Sequence, residues 1–159
     1  MQRHPCGVAL MPVVVESSAP KQRAPLSGAR VNAIVQLTLK SEQVDDAMVS
    51  VTFLSSRAMA KMHREQLGHA GATDIITFEL TRPVADSPVT GDMYICADVA
   101  RTNARAWGVP VREELARLVI HGTLHMLGLE HPDGEARVDS PMWRAQEKYL
   151  RAAKRRGLV

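Results

Sequence analysis

The chain has only two cysteines in 159 residues, Cys6 and Cys96. Two are too few for a disulfide framework, and their separation fits no zinc-binding spacing. A reducing cytoplasm is the expected compartment. No apolar run approaches the roughly 20 residues that a membrane span needs. Near the N-terminus, Pro5 and Pro12 break the short apolar stretch after Arg3 and His4. An apolar core followed by a small-residue cleavage site is missing there, so no secretory signal is expected. Internal repeats are absent as well. Neither sign of charge dominates: 20 Lys and Arg against 17 Asp and Glu leave a net charge of +3. That is compatible with a nucleic-acid partner but far from proof of one.

What remains is an ordinary soluble composition, 45% hydrophobic and 23% charged, long enough for one domain with a real core. Residues 1–9 read as a loose N-terminal arm and residues 10–155 as the domain. Met11–Glu16, with its three valines, is a short strand candidate, and 17–26 a linker. Ser27 can cap a helix to about Lys40, with Val31, Ile34, Val35 and Leu39 on its apolar face. Met48–Leu54 reads as a strand, and Ser55 or Ser56 starts a helix to about Leu67. Gly68–Gly71 is a turn, Thr73–Leu80 a strand and Thr81–Thr90 a loop. Gly91–Ala97 is the next strand, and Asp98 can cap a helix to Trp107 that Gly108 ends. Pro110 sits in the first turn of the following helix. Pro132-Asp133-Gly134 is a turn, and Ser140-Pro141 opens a final helix with Met142, Trp143, Gln146 and Tyr149 down one side. The order β-α-β-α-β-β-α-α-α predicts an α+β domain: a small mixed four-stranded sheet with helices packed against it.

Two clusters concentrate the positive charge. Arg57, Lys61 and Arg64 share a face of one helix, and Arg144, Lys148, Arg151, Lys154, Arg155 and Arg156 crowd the C-terminus. Each is either a solvated helix face or a surface that draws RNA.

The most informative segment is His121-Gly-Thr-Leu-His125-Met-Leu-Gly128-Leu-Glu-His131. A four-residue step puts His121 and His125 one helical turn apart on the same face. Gly128 can end that helix with a positive φ, which lets His131 fold back toward the pair. Three neutral imidazoles then take three corners of a zinc tetrahedron and leave the fourth open, the arrangement of a catalytic site. A hydrogen-bonded helix end is the plainer reading of a His pair, and the third His favours metal. The run is not the peptidase pattern His-Glu-x-x-His, because Gly122 stands where the general base belongs.

Three segments resemble the YbeY family of bacterial metal-dependent endoribonucleases. The histidine run is similar to that family's His-Gly-x-Leu-His-Leu-x-Gly-Tyr-Asp-His. Thr73-Asp-Ile-Ile-Thr-Phe78 resembles its Thr-Asp-Val-Leu-Ser-Phe strand, and Gly91-Asp-Met-Tyr-Ile95 its Gly-Asp-Ile-x-Ile strand. The resemblance spans roughly residues 10–152. It implies zinc on His121, His125 and His131. It also implies single-stranded RNA as substrate, action at the 3′ end of small-subunit ribosomal RNA, ribosome quality control, and contact with the small ribosomal subunit.

One departure bears on catalysis. Many members of the family carry an arginine, associated with RNA cleavage, just before the glycine matching Gly68. Here that position is Leu67, and leucine cannot hold a phosphate. Arg64, one turn earlier, is the candidate to take over, or else an exposed helix charge. Asp74 and Asp92 either orient a ligand imidazole through its free N–H or cap turns at strand ends. Glu130 is a candidate proton acceptor. The expected chemistry is phosphodiester hydrolysis, with zinc polarising a phosphoryl oxygen or acidifying water. A zinc-stabilised assembly factor without catalysis is the alternative that Leu67 favours. A zinc hydrolase for small molecules or peptides is disfavoured by Gly122 and by the basic faces.

Overall fold

The computed structural model describes residues 14–18, 25–80, 84 and 87–159. The expected arm, residues 1–9, lies outside them, as does Cys6. One mixed sheet takes the order β1-β2-β4-β3. Its members are β1 (Val14–Ser18), β2 (Ala47–Leu54), β3 (Ile75–Glu79) and β4 (Val89–Cys96). β2 and β4 run parallel at the centre, β3 pairs antiparallel with β4 at one edge, and the β1 backbone adds in parallel beside β2.

Period-two burial explains the two sides. Ala47, Val49, Val51 and Phe53 of β2 and Val89, Met93 and Ile95 of β4 enter the main core. Ile76, Cys96 and Tyr94 turn to a smaller cluster around Met59. Over the main face lie α1 (Gly28–Ser41), α4 (Val111–Met126) and α5 (Pro141–Arg155), while α2 (Ser56–Leu67) and α3 (Ala97–Trp107) complete the domain. Leu158 and Val159 still pack on the core, beyond the boundary expected at residue 155. No helix among the described residues is long and apolar enough to cross a membrane.

Helix starts follow side-chain chemistry. The hydroxyls of Ser27, Ser55 and Ser140 accept N–H groups of Arg30, Ala58 and Trp143 at the heads of α1, α2 and α5. Several boundaries differ from the sequence reading. β1 (Val14–Ser18) runs two residues past the end expected at Glu16. β4 starts two residues early, at Val89, because it pairs along all of β2. Asp98 is not a cap but lies inside α3, where it accepts from Ser56 and Arg101. A short 3-10 helix, Gly134–Asp139, was not foreseen after the turn at Pro132-Asp133-Gly134.

α4 is the element that matters most for function. Leu115, Leu118, Val119, Ile120, Leu124 and Met126 are all buried, so the helix is clamped between sheet and helices. Gly122 is part of the clamp. A Cβ there would sit 2.8 Å from the Met93 methyl and 2.9 Å from Ile75 Cδ1. A glutamate at 122 would therefore point into the sheet and could not serve as a base, which gives the missing peptidase glutamate a steric reason.

Candidate metal centre

α4 ends as its sequence suggests. Gly128 has φ 81°; its N–H bonds the His125 carbonyl at 2.9 Å, and the Leu129 N–H bonds the Leu124 carbonyl at 3.1 Å. This pair of bonds reverses the chain and brings His131 back over the helix end. His121, His125 and His131 consequently form one group whose ligand atoms lie within 4.8 Å of one another, a group that can hold a metal ion.

The hydrogen bonds decide which nitrogens are available. His121 Nδ1 lies 2.8 Å from Gln146 Oε1, His125 Nδ1 2.9 Å from the Leu129 carbonyl and His131 Nδ1 2.9 Å from the Pro132 carbonyl. Gln146 cannot be turned the other way, because its Nε2 donates to the Glu147 carboxylate at 3.0 Å. All three acceptors are oxygens that only accept, so each Nδ1 carries the proton and each Nε2 offers a lone pair. Those lone pairs meet: Nε2 of His121 is 3.0 Å from that of His125 and 3.4 Å from that of His131. Two nitrogens on a tetrahedral zinc stand roughly 3.3 Å apart, given metal–nitrogen bonds of about 2.0–2.1 Å. Three facing lone pairs repel one another unless a cation lies between them, so the donor set fits a metal.

Protonation is opposed in the same way. Burial pushes His121 down to about 4, against the hydrogen bond that its Nδ1–H donates to Gln146, and His125 and His131 add to the shift. Burial also lowers His125, with Glu130 opposing. Behind His121 the support is ionic. Arg117 donates to Glu147 and Glu114, both at 2.8 Å, and Lys154 reaches Glu113 at 2.7 Å. Burial alone would raise the Glu147 carboxyl, yet the hydrogen bonds from Arg117 and Gln146 hold it below its ordinary value.

The histidines open on a cleft of about 930 Å³. One wall runs from Thr73 and Asp74 into the edge strand β3 as far as Glu79; Leu67, Trp107, Arg137 and Trp143 also line the cleft. Leu67 is 47% and Trp107 66% exposed. Arg64 is exposed on α2 and does not line the cleft, whereas Leu67 at the end of the same helix does. Glu130 lines it, but its side chain is 81% exposed and 3.8 Å from His125 Nδ1, which already bonds Leu129.

Neither aspartate holds an imidazole. Asp74 accepts from the Ile75 N–H at 2.8 Å and from Asn103 at 3.3 Å, and Asp92 accepts from Ser50. The orienting role belongs to Gln146, 1% exposed, which the sequence reading places only down one side of the final helix. The available signal was a polar amide within the apolar series Met142, Gln146, Tyr149, Ala153.

Fold and site thus define a small α+β protein whose metal-capable histidine triad sits on a buried helix and opens on a cleft. Comparison with known proteins gives that class its family. The family described as Endoribonuclease YbeY matches residues 18–154, and the chain belongs to it. It is 35% identical over 132 residues to an "Endoribonuclease YbeY" of Frankia alni, covering 76% of this chain and 72% of that protein. A protein of the same description from Chloroherpeton thalassium is 29% identical over 139 residues, with 87% and 94% covered. The solution structure of TM1509 from Thermotoga maritima shares the fold, with a TM-score of 0.59 at 22% identity and 89% and 88% of the two chains covered.

Proposed function

We propose that the chain is a zinc-dependent endoribonuclease that cleaves single-stranded RNA. Its place would be the cytoplasm, in 3′-end maturation of small-subunit ribosomal RNA and in ribosome quality control, in contact with the small subunit. The observation that carries this reading is the convergence of three Nε2 lone pairs on one wall of an open cleft. Imidazole suits several first-row metals, and a neutral three-histidine set with an open corner suits zinc well. A bound zinc ion supplies Lewis-acid charge beside the phosphodiester.

The chain's own residues do the rest. Gln146, Leu129 and Pro132 fix the tautomers, so no ligand must reorganise when the metal enters. The rigid packing of α4 keeps His121 and His125 in register. Arg57, Lys61 and Arg64 lie on α2, whose last residue, Leu67, stands at the cleft. They draw the RNA backbone toward that rim, and Arg64 is the candidate among them to reach a phosphate. Trp107, exposed in the cleft, offers a face on which an unpaired base can stack.

The test uses metal-quantified protein with labelled single-stranded and duplex RNA of one sequence. Endonucleolytic cleavage of the single strand only, lost with a chelator and restored by zinc, supports the proposal; intact RNA in every lane refutes it. One observation favours a second reading. Leu67, an apolar side chain, stands at the cleft where an arginine would serve cleavage. A zinc-stabilised, non-catalytic assembly factor of the small subunit would bind RNA with this surface and leave it whole.

A further inference from the structure

Two arginines line the histidine cleft, and they stand in opposite circumstances. Arg117 is spent: its guanidinium is bonded to Glu113, Glu114 and Glu147. Arg137 enters no ion pair among the described residues, and its Nε is buried without a hydrogen-bond partner. Its guanidinium carbon lies 5.3 Å from the centre of the Trp143 ring. That is cation–π distance, and the ring face holds the cation without using any of its N–H donors.

The pair is set up by one hydroxyl. Ser140 Oγ accepts the Trp143 N–H at 3.1 Å and donates to the Arg137 carbonyl at 2.7 Å. The same serine starts α5, so the rigid head of that helix fixes both the arginine and the ring beneath it. The result is a pre-positioned guanidinium with free donors, in the same cleft as three neutral imidazoles. No carboxylate among the described residues is bonded to it. A planar fork of that kind matches the oxygens of a phosphodiester.

We propose that Arg137, seated on Trp143, is the phosphate-binding arginine of this cleft and grips the backbone of a single-stranded nucleic acid beside the metal centre. It would supply within this cleft the charge that Leu67 cannot supply at the end of α2. The inference rests on the ribonuclease reading for its ligand, but the site itself is one of binding and can be tested without cleavage.

The probe is a fluorescent, single-stranded 2′-O-methyl oligonucleotide, which resists cleavage through its 2′-oxygen. Its affinity for the metal-loaded protein is measured by anisotropy across a salt series. Arg137→Met keeps a long apolar stem over Trp143 and removes the donors. It should weaken binding by about tenfold or more, the usual size for losing a charge-assisted hydrogen bond. The slope of log affinity against log salt should fall by about 0.7, the value for one phosphate on a single strand. Arg137→Lys should recover the salt slope but only part of the affinity, because an ammonium lacks the fork. Metal content and melting temperature of both variants serve as the folding control. Should Arg137→Met misfold, Arg137→Lys alone decides, because full affinity in that variant excludes a fork-dependent contact. Parental affinity and slope in Arg137→Met overturn the proposal, as does a parent that does not bind the probe. A parent that binds through Arg137 yet cleaves no RNA retains the phosphate site and overturns the ribonuclease reading alone.

Discussion

Gln146 Oε1 accepts the Nδ1–H of His121 at 2.8 Å, and the Gln146 amide in turn donates to Glu147 at 3.0 Å. A neutral amide, locked by a carboxylate behind it, therefore decides which nitrogen of His121 faces the site. Gln146→Leu removes the acceptor and leaves a buried N–H without a partner. Metal affinity should fall by about 10–100-fold, the range for loss of such outer partners. Chelator competition measures this; unchanged affinity would mean that helix packing alone orients the ring.

Gly128 should matter to metal and fold together. Its φ is 81°, and nothing lies within 4 Å of a Cβ built there, so the demand is on the backbone alone. Gly128→Val should cost about 1–2 kcal/mol through left-handed strain and should loosen zinc by displacing His131. Denaturant unfolding and zinc titration of the variant check both effects. Parental values in each would show that the turn accepts another route.

Metal-free protein should weaken in mild acid. Burial holds His121 near 4 in the folded chain against an ordinary 6.5, and His125 shifts the same way. Between those pH values the unfolded chain binds the extra proton and the folded chain resists it. Stability is therefore intact above about pH 6.5 and declines as pH falls toward about 4. Urea midpoints of the apoprotein at about pH 7 and about pH 5 test the sign, with His121→Asn as the variant whose decline should be shallower. Equal slopes for the two proteins would remove His121 from the acid sensitivity.

The basic face of α2 should steer RNA without building the metal site. Arg57 and Arg64 are exposed, and Lys61 has only a loose 4.0 Å contact with Glu65. Replacing Arg57, Lys61 and Arg64 by alanine should flatten the salt dependence of RNA binding and leave zinc content alone. An identical slope would make these ordinary surface charges. If Arg64→Ala by itself cleaves at the parental rate, Arg64 has no part in the chemical step.

Local chemistry was legible in the sequence and long-range geometry was not. Ser27, Ser55 and Ser140 announce their helices because a cap is read within four residues, and Gly108 and Gly128 announce helix ends for the same reason. The histidine run is likewise a one-helix, one-turn pattern. Gln146 and Arg137 escaped because their meaning lies in contacts across the fold: with His121, 25 positions away, and with a cleft whose other wall is β3. Asp98 misled for a similar reason, since its partner Ser56 lies 42 residues earlier and draws it into α3. Gly122 could be read as the absence of a glutamate, but the Met93 and Ile75 atoms that a side chain there would meet belong to β4 and β3.

The central claim is that one metal on His121, His125 and His131 makes this chain a ribonuclease. Zinc titration of the apoprotein, with cleavage of a single-stranded ribosomal RNA fragment and bound metal read in the same samples, tests it most directly. Cleavage should rise with zinc and level off at about one equivalent per chain, the stoichiometry of a single tetrahedral site. His125→Ala should lose both the binding and the cleavage while keeping its fold. Cleavage that ignores zinc, or a His125→Ala protein that cleaves as the parent does, would contradict the account.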